Sequence, residues 1–246
     1  MTIPARIIAF LFHFSISCLL ALLALLLVFF VWYPAPLHSA VGVTSIFLIV
    51  LGVDVTVGPL LTLVVYKQGK KSLRFDLTVI ALLQLVAFSY GLFTVAEGRP
   101  VWLVFSVDQF ELVQAYQVDT RKQSEARAEF SYQPWLGPVW AAALRASTRE
   151  EKNTILMESL AVGVDIAQRP ERFVALSEQQ EDIRQHSMPI EALSRFNTQQ
   201  AVDKVLQRWP EADAYLPMMA RAHPVTVLIN KASAKVVAIV DLNPWQ

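Results

Sequence analysis

Three long apolar segments in the first part of the chain constrain its fold more than any other feature. They run over residues 7–33, 41–66 and 77–96; the second contains one acid, Asp54, and the other two carry no formal charge. A helix needs about 20 residues to cross about 30 Å of hydrocarbon, and each segment reaches that length. Because lipid offers no water to satisfy the backbone, each segment is predicted to be a transmembrane α-helix.

The charge distribution divides the 246 residues into two unlike parts. Residues 1–96 carry five basic and two acidic side chains, whereas residues 97–246 carry 16 basic and 19 acidic ones. The net charge of zero gives no reason to expect nucleic acid as a partner. Only 17% of the residues are charged, against about 25% in soluble domains, which argues against a simple soluble enzyme. One cysteine, Cys18, excludes an intrachain disulfide.

Basic residues predict how the chain is oriented in its membrane. The loop between the second and third segments is rich in positive charge, while the loop over residues 34–40 has none. The positive-inside rule then places the N-terminus and the basic loop in the cytoplasm, and everything after residue 96 on the other side. The same basic residues are candidates for contact with lipid headgroups, and they are Lys67, Lys70, Lys71 and Arg74.

Two further features bear on this orientation. The first apolar segment is longer than the 7–15 residues of a typical signal-peptide core, which argues against cleavage. Trp32, Tyr33 and Trp102 lie at the outer ends of predicted helices, and aromatic residues of this kind are typical of the membrane–water interface.

Asp54 is the one acid within the apolar segments. It lies 12 residues before Tyr66, or about 18 Å along a helix, which is near the middle of a bilayer. A carboxylate there is costly unless it is neutral, paired or facing a polar cavity. Pro59 leaves the carbonyl of Val55 without its helical donor, and Gly52 and Gly58 permit another helix to approach closely. The second helix is therefore predicted to be kinked and tightly packed at its acid.

Three roles for Asp54 remain open from the sequence. It can be protonated and hydrogen-bonded inside the helix bundle, it can dock a polar or cationic group of a partner helix with Gly58 and Pro59 beside it, or it can belong to a proton or ion pathway. Counting residues puts Ser17, Cys18, Ser89 and Tyr90 at its depth. The same count puts His13 and Gln84 about 8 Å nearer the cytoplasm.

Residues 97–246 are predicted to form a small α+β extracytoplasmic domain after the three transmembrane helices. Two hairpins begin and end it, at residues 101–116 and 225–240. Capping boxes predict helices over residues 147–167, from 177 and from 197. The faces of the first and last of these helices are expected to be Ile155, Leu156, Leu160 and Val164, and Val202, Val205, Leu206 and Trp209. We expect an antiparallel sheet from both ends of the domain with the helices inserted between.

No enzymatic or cofactor motif occurs in the chain, so neither a catalytic activity nor a cofactor is expected. His186 and His223 have no nucleophile or metal ligand near them in the sequence. A membrane enzyme would have to use Asp76 with Lys71 or Arg74. The main alternative, ahead of an enzyme, is a membrane-anchored sensor or signalling protein with a ligand-binding extracytoplasmic domain, which would signal through a partner.

Several blocks of the sequence resemble the type IV pilin accessory proteins (the TfpX/TfpZ family). These blocks are Gly52–Asp76, Gln84, Tyr90-Gly91, Gly98–Val101 and Val236–Trp245. The resemblance covers nearly the whole chain, with its most specific part at Gly52–Asp76. It implies a bacterial inner-membrane protein with a periplasmic domain that assists a pilin's assembly into surface fibres and has no catalytic activity.

The resemblance also implies which partners to expect. They are the lipid bilayer, a type IV pilin and other pilus assembly machinery. A pilin waits in the membrane as one helix with its head outside, so the helices of this chain would contact the pilin helix and its domain the pilin head. The processed N-terminus of a pilin is cationic, and Asp54 is a candidate to receive it.

Overall fold

The computed structural model describes residues 4–245, and the chain forms two compact units. We term Met1–Val31 with Val43–Glu97 the helical unit, and Trp32–Gly42 with Gly98–Gln246 the head unit. The segment that connects the first two long helices therefore belongs to the head unit rather than to the helices that flank it.

Three helices are long and apolar enough to cross a membrane, as predicted. The first four helices are α1 (Ala5–Leu26, extended by a π-helix over Leu27–Trp32), α2 (Leu37–Val41), α3 (Val43–Val65) and α4 (Leu73–Glu97). α3 stays helical through Pro59 and packs against both α1 and α4. α4 begins four residues before its predicted start because polar residues extend it beyond the apolar run, so Arg74 lies in its first turn rather than in the loop.

The head unit contains a mixed, eight-stranded sheet rather than the antiparallel sheet expected. Its spatial order is β4-β3-β1-β2-β6-β7-β8, with β5 also pairing with β6. The two predicted hairpins are present as β1–β2 and β7–β8, but β1 pairs in parallel with β3, and β2 in parallel with β6. The strands are Pro100–Ser106, Gln109–Gln114, Val139–Ala143, Phe173–Val174, Met188–Pro189, Ala214–Met219, Val225–Asn230 and Lys235–Val240 for β1 to β8.

The core of the head unit includes two hydrophobic clusters of described residues. In the first, Trp102 packs edge-on against Phe130 and Phe173 at 5.6 Å between ring centroids. The second surrounds Tyr215 and Leu228, and it is covered by α7 (Gln199–Arg208). Val202, Val205, Leu206 and Trp209 contact this second cluster, so the predicted apolar face of the last helix is confirmed.

The predicted helix over residues 147–167 is only partly correct. α5 spans Arg149–Val162 and ends at Gly163, whose φ of 71° is the left-handed conformation that glycine adopts freely at a helix end. Thr148, rather than Ser147, caps its first turn. Ile155 packs against the first cluster, but Leu156 and Leu160 are 55% and 75% exposed, so the predicted face does not enter the core. The short polar helix is present as α6 (Gln180–His186).

Trp32, Tyr33 and Trp102, predicted at the membrane–water interface, are buried in the head unit. The connecting segment is fastened there because Ala222 and His223 both donate their backbone N–H to the carbonyl of Ala40, at 2.9 and 3.3 Å. Burial raises the pKa of the Tyr33 hydroxyl far above its ordinary range. The buried Trp32 and Tyr33 rings therefore help to join the connecting segment to the rest of the head unit.

Candidate functional site

A cluster of polar side chains lies within the helical unit, surrounded by apolar residues. α1, α3 and α4 all contribute to it, and its members are His13, Ser17, Asp54, Thr62 and Gln84. Ser17 and Thr62 are buried and the other three are partly buried. Because polar groups are costly in an apolar bundle, the meeting of these side chains around Gln84, beside Asp54, marks this position as the candidate site.

Gln84 is at the centre of this polar cluster and connects all three helices. Its amide nitrogen donates to Ser17 Oγ at 2.8 Å, to the backbone carbonyl of Asp54 at 3.0 Å and to Asp54 Oδ2 at 3.4 Å. Its carbonyl oxygen lies 2.7 Å from His13 Nε2. A single side chain of α4 therefore holds α1 and α3 together at the level of the acid.

The hydrogen bonds fix how His13 is oriented. Since the carbonyl oxygen of Gln84 can only accept, His13 Nε2 is the donor in that contact. In the neutral ring Nδ1 is then free to accept the hydroxyl proton of Thr62 at 2.7 Å. Among residues 4–245, Gln84 is the only side chain that hydrogen-bonds to the Asp54 carboxyl group. The polar cluster thus brings neutral donors to the acid and contains no lysine or arginine.

Gly58 makes room for this arrangement. A Cβ atom at residue 58 would lie 1.7 Å from Gln84 Oε1, so any side chain there would displace the amide. Pro59 is buried directly beside it. Gly52 behaves differently from the prediction: a Cβ there would meet no atom within 4 Å, so no helix among the described residues approaches it closely. The close packing attributed to both glycines is found at Gly58 alone.

Two grooves in the helical unit open on Asp54. The α3–α4 groove has a volume of about 390 Å³ and is apolar except at Asp54 and Gln84; its lining includes Ile49, Val50, Val53, Val57, Leu61, Ile80, Leu83 and Phe88. The α1–α4 groove, of about 420 Å³, adds His13, Ser17 and Thr62. The acid is therefore accessible from the side of the bundle, where another helix would arrive.

Sequence reasoning found Asp54 and Ser17 but misplaced their partners. Ser89 and Tyr90, predicted at the depth of the acid, are exposed and take no part in the polar cluster, and Cys18 is a free thiol outside it. Gln84 and His13, which residue counting put nearer the cytoplasm, are members. Gln84 was placed too near the cytoplasm because the predicted helix began at residue 77, whereas α4 begins at Leu73. Counted from Leu73, Gln84 is 11 residues into its helix, and Asp54 is 11 residues from the end of α3 at Val65.

The basic cluster lies at the loop between α3 and α4. Lys67, Lys70, Lys71 and Arg74 are all exposed. Asp76 pairs with Lys70 at 2.8 Å and accepts a hydrogen bond from Ser72 at 3.0 Å. It does not pair with Lys71 or Arg74, the partners that a surface acid–base site would have used. Asp76 therefore takes part in an ion pair and a hydrogen bond within its own loop and helix start.

Several titratable groups of the head unit make structural contacts. His223 Nε2 lies 3.3 Å from Asp241 Oδ1, and His186 Nδ1 contacts the carbonyl of Asp182 at 2.8 Å. Burial, reinforced by the charge of Asp165, raises the pKa of Glu111 to about 7. Residues 4–245 hold no group of three His, Cys, Asp or Glu side chains suited to a metal ion.

Comparison with known proteins gives consistent matches. A family model described as fimbrial assembly protein FimB matches residues 2–42. The fimbrial assembly protein of serogroup E1 of Dichelobacter nodosus is 31% identical over 242 residues, covering 95% of this chain and 94% of that protein. The serogroup I protein of the same organism is 30% identical with the same coverage. The protein of serogroups C1 and C2 is 38% identical over 103 residues, 41% of this chain and 79% of that protein. No solved structure gives a significant match.

Proposed function

The chain belongs to the family of fimbrial assembly proteins. We therefore propose that it is an accessory factor that assists the assembly of one cognate type IV pilin into pili. It would act by binding and not by catalysis. The resemblance to the TfpX/TfpZ proteins supports the pilin as partner. The matches to fimbrial assembly proteins favour this role over that of a sensor.

The observation that carries the proposal is the α3–α4 groove with Asp54 in its wall. An apolar helix finds a matching surface in this groove, since its lining side chains include Ile49 and Leu83, exposed by 67% and 64%. A cationic group on that helix would find the one acid of the groove. The cationic N-terminus of a processed pilin has this chemistry, and a carboxylate in an apolar setting gains most from a charged partner.

We place the three long helices in the bacterial inner membrane, with the N-terminus in the cytoplasm and the head unit in the periplasm. The exposed lysines and arginine at one end of α3 and α4 support this orientation. The fastening of Trp32–Gly42 onto the head unit also supports it, because a chain with three crossings puts that segment and the domain on one side. The head unit would then be available to the pilin head.

The test is deletion of the gene, followed by a count of surface pili and a measurement of twitching motility. We expect both to fall and the wild-type gene to restore them; normal piliation after deletion would contradict the proposed function. Asp54→Asn should restore fewer pili than wild type. Asp76→Asn is the matched control because it makes the same change at another acid of the helical unit, and it should restore them fully. Full restoration by Asp54→Asn would leave Asp54 with a packing role only.

A further inference from the structure

The head unit carries an exposed apolar loop that no part of the proposed pilin contact uses. In the loop over residues 131–138, Tyr132, Trp135 and Leu136 are exposed by 81%, 61% and 90%. Phe130 anchors its start in the core, stacked edge-on against Trp102. The whole stretch from residue 130 to residue 144 has no formal charge, although it lies in a domain of ordinary polarity.

Two contacts tie this loop to the points where the chain leaves the long helices. Trp32, the last residue of the first candidate membrane span, donates its indole N–H to the carbonyl of Trp135 at 3.1 Å. Arg99, two residues after α4 ends at Glu97, stacks its guanidinium on the Trp135 ring at 4.1 Å. Both tethers come from residues of the head unit that directly adjoin span ends in the sequence, so they hold the loop close to the residues at which the chain enters and leaves the spans.

The length of the first span indicates the level at which this end lies. Ala5–Trp32 has 28 residues, about 42 Å at 1.5 Å per residue, which matches a bilayer with its headgroup layers included. Trp32 is therefore at the level of the headgroups when the helix spans. Exposed tryptophan, tyrosine and leucine are side chains that favour this layer.

We propose that Tyr132, Trp135 and Leu136 insert into the headgroup layer of the leaflet from which the head unit emerges, and that lipid is their occupant. The loop then serves as a membrane contact in addition to the three helices. Arg99 and Trp32 are positioning residues that hold the Trp135 ring for this contact. The inference requires only that the helices span a membrane and does not depend on the pilin.

Site-directed spin labelling of the full chain in lipid nanodiscs tests this inference. A nitroxide is attached at Leu136→Cys in a Cys18→Ala background, and its collisions with oxygen and with a water-soluble nickel chelate are compared. Leu160→Cys is the matched control, since Leu160 is also an exposed apolar residue of the head unit, at 75%, but lies on α5. We expect the label at residue 136 to favour oxygen and the label at residue 160 to favour nickel.

Three results would overturn the inference. The first is a label at residue 136 that is as accessible to nickel as the control. The second is a label at residue 160 that also favours oxygen, because lipid contact would then not be specific to the loop. The third is a label at residue 136 that becomes shielded from both reagents only after a pilin is added, which would make the loop a protein-docking surface.

Discussion

Replacing Gly58 by alanine tests whether the hydrogen bonds of Gln84 hold the helical unit together. The new Cβ atom would lie 1.7 Å from Gln84 Oε1, so the amide must leave its place. Gly52→Ala is the matched control because it makes the same chemical change on the same helix, where a Cβ meets nothing within 4 Å. The two variants differ only in whether the polar cluster is disturbed.

The size of the effect follows from the contacts of Gln84. Its side chain makes four hydrogen-bond contacts with His13, Ser17 and Asp54. Interhelical hydrogen bonds in membrane bundles contribute about 0.6 kcal/mol each, so their loss costs about 2 kcal/mol. Alanine in place of a helical glycine adds up to about 1 kcal/mol of stability in both variants. Gly58→Ala should therefore be about 2 kcal/mol less stable than Gly52→Ala.

The assay is detergent-driven unfolding of the full-length protein in mixed micelles, followed by far-UV circular dichroism. A double-mutant cycle identifies the cause of any loss, since Gly58→Ala in a Gln84→Ala background meets no amide and should behave like Gly52→Ala. Equal stability of Gly58→Ala and Gly52→Ala would refute the reasoning. So would a loss at Gly58→Ala that persists in full when Gln84 is already alanine.

Three further predictions concern the head unit and the orientation of the chain. Burial raises the pKa of Glu111 from its ordinary value of 4.5 to about 7 in the folded protein. The folded state therefore loses stability as the pH rises from 4.5 to about 7, because the unfolded chain releases this proton more readily. Glu111→Gln should be more stable than wild type above pH 7 by up to about 3 kcal/mol, with no gain below pH 4.5, in thermal unfolding followed by tryptophan fluorescence. Thr148→Ala removes the hydroxyl that accepts a hydrogen bond from the backbone N–H of Glu151 at 3.1 Å. The loss of this cap should lower the stability of α5 by about 1 kcal/mol and so speed amide hydrogen exchange along the helix. Exchange unchanged in α5 would contradict that cap. Replacing the four exposed basic residues in the α3–α4 loop and the first turn of α4 by glutamine should lower the activity of a periplasmic reporter fused to the C-terminus; these are Lys67, Lys70, Lys71 and Arg74.

The three long helices were predictable because an uncharged run of 20 or more residues has few other stable solutions. The partner of Asp54 was not, because the count of residues began at the first apolar position of α4 and not at Leu73. Four residues of helix amount to about 6 Å, most of the apparent gap between Gln84 and Asp54. Because polar residues can extend a membrane helix beyond its apolar segment, the apolar pattern alone does not show where the helix begins.

The head unit was harder to predict because its missing strands depend on their neighbours. β3 is Val-Trp-Ala-Ala-Ala, a poor strand sequence that is held by parallel pairing with β1. β6 contains Pro217, which argues against a strand, yet it lies between β2 and β7. The opposite error occurred in α5, where Leu156 and Leu160 have helical spacing but face outward. Local pattern identified the element there, but it did not identify which face is buried.

The central claim, that a pilin docks at Asp54, is tested most directly by photocrosslinking in cells. A photoreactive amino acid at Val57, a 46% exposed residue of the α3–α4 groove, is compared with one at Leu23, which is 55% exposed on α1 and lines neither groove. We predict a crosslink to pilin from residue 57 that weakens with Asp54→Asn, and none from residue 23. Equal crosslinking from both positions, or none from residue 57, would contradict the account.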